Sequence, residues 1–164
     1  MQDPSAVPLD PYAASLARKW MAAGALIRDA AGAVLLVDPV YKPLWEVPGG
    51  SVDARESPLA ACRREVAEEL GLDRPVGRVL AIDWIPARPG WPDGLILLYD
   101  GGMLTSAQIA AIRLPADELA DWAFVTPDQV PDRVSAPLGR RIAAGLRAAT
   151  DGTVAYLEDG RPVS

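Results

Sequence analysis

The fifteen residues from Ser57 to Gly71, "SPLAACRREVAEELG", constrain this chain more than any other stretch. Ser followed by Pro is a helix start, with the hydroxyl as N-cap and the ring at the first helical position. Gly71 is a helix stop. Between them Leu59, Cys62, Val66 and Leu70 recur at helical spacing and make one apolar face. Such a face has to be buried against a second layer of structure. The other side carries Glu65, Glu68 and Glu69, with Glu56 just upstream. Like charges three and four residues apart cost a helix about 0.2–0.5 kcal/mol per pair. A divalent cation reverses the sign of that cost and turns repelling acids into ligands. Spacing alone also fits a solvated, mixed-charge face on which Arg63 and Arg64 screen the acids.

The rest of the chain supplies strands for the second layer. "AGALI" and "AVLLV" are apolar runs of strand length, and Gly32 between them suits a bulged hairpin turn. "YKPLWEVPGG" predicts a short strand ending at Pro48, after which Pro and paired Gly take the chain out of a ladder. Further strands are expected at about 76–85 and 94–100, joined by the Pro/Gly-rich "PARPGWPDG". "AAIRL", "DWAFVT" and "TVAYLE" read as strand-like, residues 11–20 as a short helix and 136–149 as a long one. Helices and strands mix without regular alternation. The expected class is therefore α+β or an α/β/α sandwich over a mixed sheet. A single domain is expected across 1–164, with a short N-terminal helical extension over about 1–20 and the C-terminal helix at about 136–149.

Residue types narrow the chemistry. The chain has no histidine and one cysteine, Cys62, which reads as part of the core. A metal site must then be built from oxygen ligands, and these favour hard ions such as Mg²⁺ or Mn²⁺. A net charge of −6 argues against a nucleic-acid polymer as partner, whereas a small phosphorylated substrate remains compatible if a cation neutralises it locally. No apolar run approaches the ~20 residues of a membrane span, and the N-terminus lacks a secretory pattern. The expectation is a cytoplasmic protein without a membrane partner.

The full spacing from Gly50 to Leu72 resembles the Nudix box position for position: Gly50, Glu56, Arg64-Glu65, Val66, Glu68-Glu69, Gly71 and Leu72. The preceding "WEVPGG" resembles the strand and turn that lead into that box. The resemblance implies an α/β/α sandwich with the box as a loop-helix-loop. It also implies Mg²⁺- or Mn²⁺-dependent hydrolysis of a diphosphate linked to another group, commonly in a nucleoside diphosphate derivative. Carried over by position, Glu65, Glu68 and Glu69 are metal-binding carboxylates, a carbonyl at the Gly49-Gly50 turn (Gly50 in particular) is a further ligand, and Glu56 supports the site. Arg64 pairs with an acid and holds it in place.

Without histidine, the base is a carboxylate or a metal-bound hydroxide. The resemblance implies either the acid at the position of Glu65 or an acid on a loop after the box: Glu65 ranks first, with Asp117 and Glu118 as loop alternatives that also fit a solvated turn or an N-cap. For the substrate, Glu46 is expected to face the cleft and Trp45 the core. Trp91, in the Pro/Gly-rich loop, and Tyr41 could stack on a base, while Trp84 reads as core. Arg88 could meet a phosphate. Arg140, Arg141 and Arg147 read as a solvated helix face, or as partners for some of the many acids. Family members often form dimers, so a homodimer is an open possibility. A competing expectation is a non-catalytic nucleotide- or metabolite-sensing member of the family. An isoprenyl diphosphate isomerase would want a well-placed cysteine and histidine, and a decapping enzyme a basic RNA path; neither is in the sequence.

Overall fold

The computed structural model describes residues 8–163, so the first part of the expected N-terminal extension lies outside the described residues. Twelve helices and strands follow in chain order. They are α1 (Pro11–Ser15), β1 (Trp20–Arg28), β2 (Val34–Pro39), β3 (Gly49–Ser51), α2 (Pro58–Leu70) and β4 (Val79–Ile85), then β5 (Gly94–Met103), α3 (Ser106–Ala111), β6 (Leu119–Val125), α4 (Ala136–Asp151), β7 (Ala155–Glu158) and β8 (Arg161–Pro162). A short 3₁₀ turn, Val130–Asp132, leads towards α4.

One mixed sheet runs in the order β6-β2-β1-β5-β4-β7-β8. The β1–β5 and β4–β7 pairs are parallel and the other pairs antiparallel. Because side chains alternate along a strand, β1 sends Ala23, Ala25 and Ile27 to one face and Leu26 to the other. In β2, Leu35 and Val37 share the first face, Val34 and Leu36 the second. The apolar stripe of α2 (Ala61, Cys62, Val66, Leu70) covers the first face. That of α4 (Leu138, Ile142, Ala144, Ala148) covers the second. This is the α/β/α sandwich that the resemblance implied, with one apolar helix stripe on each face of the sheet. No helix among the described residues is long and apolar enough to cross a membrane.

Both long helices obey the punctuation in the sequence. Ser57 accepts a hydrogen bond from Ala60 N–H and Gly71 closes α2. Ser135 caps α4, which runs two residues beyond the expected end to Asp151, with Gly152 as its C-cap. Cys62 is fully buried on the α2 stripe, and desolvation pushes its thiol up to about 12, which suits core packing and not nucleophilic chemistry.

Three local expectations need correction. The segment "AAIRL" is not a strand. Thr105 and Gln108 form a reciprocal capping box that starts α3, and the chain leaves that helix at Ile112. The N-terminal helix stops at Ser15, because Trp20 is taken into β1 beside Gly94 of β5. The third concerns the glycines. Val37 and Glu46 form only an isolated bridge, and the chain re-enters the sheet after Pro48, not before it. Gly49 and Gly50 are themselves strand β3, paired to Gly24 and Ala23. The pairing needs glycine: a Cβ on Gly49 would stand 2.4 Å from the Ala23 carbonyl oxygen, and its φ is 151°.

Candidate active site

β3 and α2 meet at their acidic side. Gly50 lies directly beneath Glu65, since a Cβ on Gly50 would be 2.5 Å from Glu65 Oε1. The preceding amide, Gly49 N–H, donates to Glu69 Oε2 at 2.8 Å. The tight β1–β3 pairing therefore lays a strip of backbone along the helix and holds two of its carboxylates in place.

Arg64 organises the others. Its Nε and Nη2 donate to the two oxygens of Glu56 at 3.0 and 2.9 Å. Nη1 donates to Glu65 at 2.7 Å and to Glu68 at 3.2 Å, and Nη2 reaches the Ser51 carbonyl at 3.1 Å. One guanidinium thus ties the loop before α2 to the helix and to β3, a task suited to a planar fork and not to a point charge. The hydrogen bond from Arg64 lowers the pKa of Glu56.

The acids share the side of α2 away from its apolar stripe but differ in environment. Glu68 is exposed, the Glu65 side chain is largely covered, and Glu69 is only 8% exposed. Desolvation raises the Glu65 carboxyl in spite of Arg64. Glu69 is pushed up to about 8, first by desolvation and then by the negative charges of Glu65 and Glu118. Glu118, in the turn before β6, is exposed yet acts on both carboxylates through its field. Among the described residues no three His, Cys, Asp or Glu side chains stand together as a metal-ligating group. Arg64 holds Glu56, Glu65 and Glu68 on its own side, while Glu69 is drawn to the Gly49 amide.

Glu69, Gly49 and Gly50 form one wall of a cavity of about 470 Å³ that continues between β1 and the start of α4. Glu46 lines it and pairs with Lys42 at 2.9 Å. Trp45 turns the other way, packs against the α4-side core and carries the Arg133 guanidinium 4.9 Å from its ring centroid. Trp91 and Tyr41 also line the cavity, and both are exposed. Trp91 rests edge-on against Trp20 with centroids 6.0 Å apart. Its loop is anchored by Asp93, which accepts from Trp84 Nε1 at 2.9 Å and pairs with Lys19. Trp84 is thus half-buried with its indole N–H engaged, not a core residue. Arg88 lies 6.0 Å from the Trp91 ring centroid and is not part of the cavity wall.

For one residue of the wall the second of the two readings from sequence holds, a partner for an acid and not a solvated face. Arg141 is 6% exposed and forms an ion pair with Asp83, itself fully buried on β4. A cue for it existed. Positions 138, 141, 142, 145 and 148 form the buried stripe of α4, so an arginine at 141 falls in core register. An aspartate inside the apolar strand "VLAIDWI" points to its partner. Arg147 is exposed, as expected, and Arg140 is partly buried with its guanidinium on the Asp159 carbonyl.

The NUDIX domain profile matches residues 18–144. The chain belongs to the Nudix family. Among curated relatives, a protein of Bacillus subtilis (strain 168), provisionally named 8-oxo-dGTP diphosphatase, is 33% identical over 98 residues, 60% of each chain. An RNA pyrophosphohydrolase of Erythrobacter litoralis (strain HTCC2594) is 26% identical over 137 residues, covering 73% of this chain and 83% of its own. Among solved structures, a UDP-X diphosphatase superposes with a TM-score of 0.71 at 21% identity, covering 92% of this chain and 76% of that one. A MutT protein from Methanosarcina mazei Go1 gives 0.65 at 21% identity, over 84% and 99%. At such identities the structural likeness shows the Nudix fold alone.

Proposed function

We propose that this Nudix protein is a divalent-metal-dependent hydrolase of a diphosphate linkage, acting on a small nucleotide derivative in the cavity beside α2. The observation that carries the reading is Glu69: a carboxylate 8% exposed in the cavity wall, subject to the like charges of Glu65 and Glu118, with the Gly49 N–H as its one hydrogen-bond donor among the described residues. Burying negative charge in that way is costly without a cation. The donor set fits a hard divalent ion, because it is made of carboxylates and backbone carbonyls. Glu65, Glu68, Glu69 and the Gly50 carbonyl are the residues proposed to hold Mg²⁺ or Mn²⁺.

Bound there, the ion would neutralise phosphate oxygens and lower the pKa of water. This chain's own residues do the rest. Arg64 positions Glu65 and ties the loop carrying Glu56 to α2. Glu65, raised by burial, is the first choice for the group that takes a proton from the attacking water. Glu118 is the alternative on the facing loop. Trp91 and Tyr41 offer flat apolar surfaces at the cavity mouth, and Glu46 with Lys42 lines its side. The curated relatives are named for different substrates that share a phosphoric anhydride, and this supports the bond type more than any one compound.

The test is a panel of nucleoside diphosphate derivatives and triphosphates incubated with Mg²⁺ or Mn²⁺, with products identified by mass. Cleavage between phosphorus atoms, stopped by chelation, is the expected result; a panel left intact at every metal concentration rejects the reading. On a substrate so identified, Arg64→Lys is expected to lower kcat/KM roughly 10- to 100-fold, the range for loss of a residue that orients metal ligands. Its thermal midpoint should move little, because the guanidinium is partly exposed. A lysine variant with unaltered kinetics would mean that the fork does not set the geometry of the acids.

A further inference from the structure

The far end of the cavity is built around a buried charge that diphosphate hydrolysis does not use. Asp83 takes one side of the Arg141 guanidinium: Nε donates to Oδ2 at 2.7 Å, and Nη2 lies 2.7 Å from the same oxygen. The other carboxylate oxygen of Asp83 accepts from Gly160 N–H at 2.9 Å. Asp83 is therefore held by α4 on one side and by the β7–β8 turn on the other, and it cannot move away from Arg141. A guanidinium gripped along its Nε–Nη2 side still presents its Nη1–Nη2 edge. Nη1 has no protein acceptor among the described residues, and it is not sealed in the interior as an unsatisfied atom. Arg141 lines the cavity, as do the apolar side chains of Leu138, Ile96 and Val47 and the exposed rings of Trp91 and Tyr41.

We propose that Arg141, fixed by Asp83, is the specificity-determining residue of this cavity, and that its free edge reads the paired acceptors O6 and N7 of an oxo-purine. The assignment rests on reading the cavity as the substrate site. Two parallel N–H groups match two adjacent acceptors, the geometry by which arginine reads guanine edges elsewhere. An amino-purine sets a donor against one of those N–H groups and forfeits the pair. Charge separates a base from an anion as occupant. Asp83 already neutralises Arg141, and Lys42 is paired with Glu46, so the region carries no net positive charge to attract a carboxylate or phosphate. Apolar walls and two aromatic rings suit a flat neutral ring.

The experiment measures binding of GMP, IMP and AMP to the protein in Mg²⁺ by calorimetry. Monophosphates contain no anhydride, so affinity is read without turnover. IMP shares O6 and N7 with GMP but lacks the 2-amino group. GMP and IMP are expected to bind about 10-fold or more tighter than AMP, the lower range for a bidentate contact. Arg141→Lys keeps the charge beside Asp83 and removes the fork, and should reduce that ratio to about twofold. Asp83→Asn combined with Arg141→Met removes both buried charges at once; it guards against simple misfolding and should abolish the preference while leaving the circular dichroism spectrum intact. Equal or tighter binding of AMP, no binding of any of the three, or a preference surviving in folded Arg141→Lys overturns the assignment. A purine preference in a protein that cleaves no anhydride sinks the hydrolase reading and leaves this one standing.

Discussion

Replacing Glu69 by Gln is expected to lower turnover by a factor on the order of 10²–10³, the range seen when a group that stabilises developing charge is removed. The fold should be retained, because the Gln carbonyl oxygen can still accept from Gly49 N–H at the position of Oε2. Stability should change in the opposite direction. In the folded chain Glu69 is raised to about 8 from an ordinary value of 4.5. A carboxyl whose pKa is raised on folding destabilises the protein once it must ionise, so stability is lost as pH climbs from about 4.5 to about 8. The amide never ionises. In chelator, the variant should therefore match the parent near pH 5 and exceed it above pH 8, by roughly 2 kcal/mol or ~4–8 °C in thermal midpoint. Adding Mg²⁺ should stabilise the parent and not the variant, since a ligand bound only by the native state raises its stability. A variant that keeps full turnover, or one that loses stability at high pH in chelator, contradicts the placement of Glu69 as a buried acid awaiting a cation.

Gly49→Ala should be the most damaging single methyl in the chain. The added Cβ meets backbone on both sides, with the Ala23 carbonyl oxygen at 2.4 Å and the Gly24 Cα at 2.5 Å. Neither neighbour is a flexible side-chain end, so β3 must separate from β1. Overpacking against backbone, added to a φ of 151°, is expected to cost about 3 kcal/mol or more, a fall of ~10 °C in thermal midpoint. Gly32→Ala is the control. Its φ of 85° is also unfavourable to an L side chain, but nothing lies within 4 Å of the added carbon, so about 1 kcal/mol is expected. Similar losses at the two sites would mean that conformation, and not the close approach of strands, sets the requirement at Gly49. In Gly49→Ala the displacement of β3 also carries the residue-49 amide away from Glu69, and Mg²⁺-induced stabilisation should shrink with it.

The legible parts of this chain are those governed by residues close in sequence. Ser57, Pro58 and Gly71 bound α2 because caps act within a few residues. The stripe of Cys62, Val66 and Leu70 had to be buried because a helix repeats every 3.6 residues. The acids and Arg64 stood out because their spacing resembles the Nudix box, and all but Glu56 sit on one helix. "AAIRL" misled because alternating apolar residues mimic a strand, while the capping box just before it starts a helix. The Gly49-Gly50 pair misled because glycines disfavour strands on average, and only contact with β1 shows why glycine is needed there.

By itself the sequence determined the sandwich, the helix that carries the acids and their order along it, because these follow from local geometry and from the need to bury one face of each element. Tertiary structure decided which acid is buried, where Trp91 rests and that Arg141 meets Asp83 across 58 residues of chain. The physical reason is that burial and charge pairing depend on what packs against a residue, and that neighbour is set by how the sheet orders strands far apart in sequence.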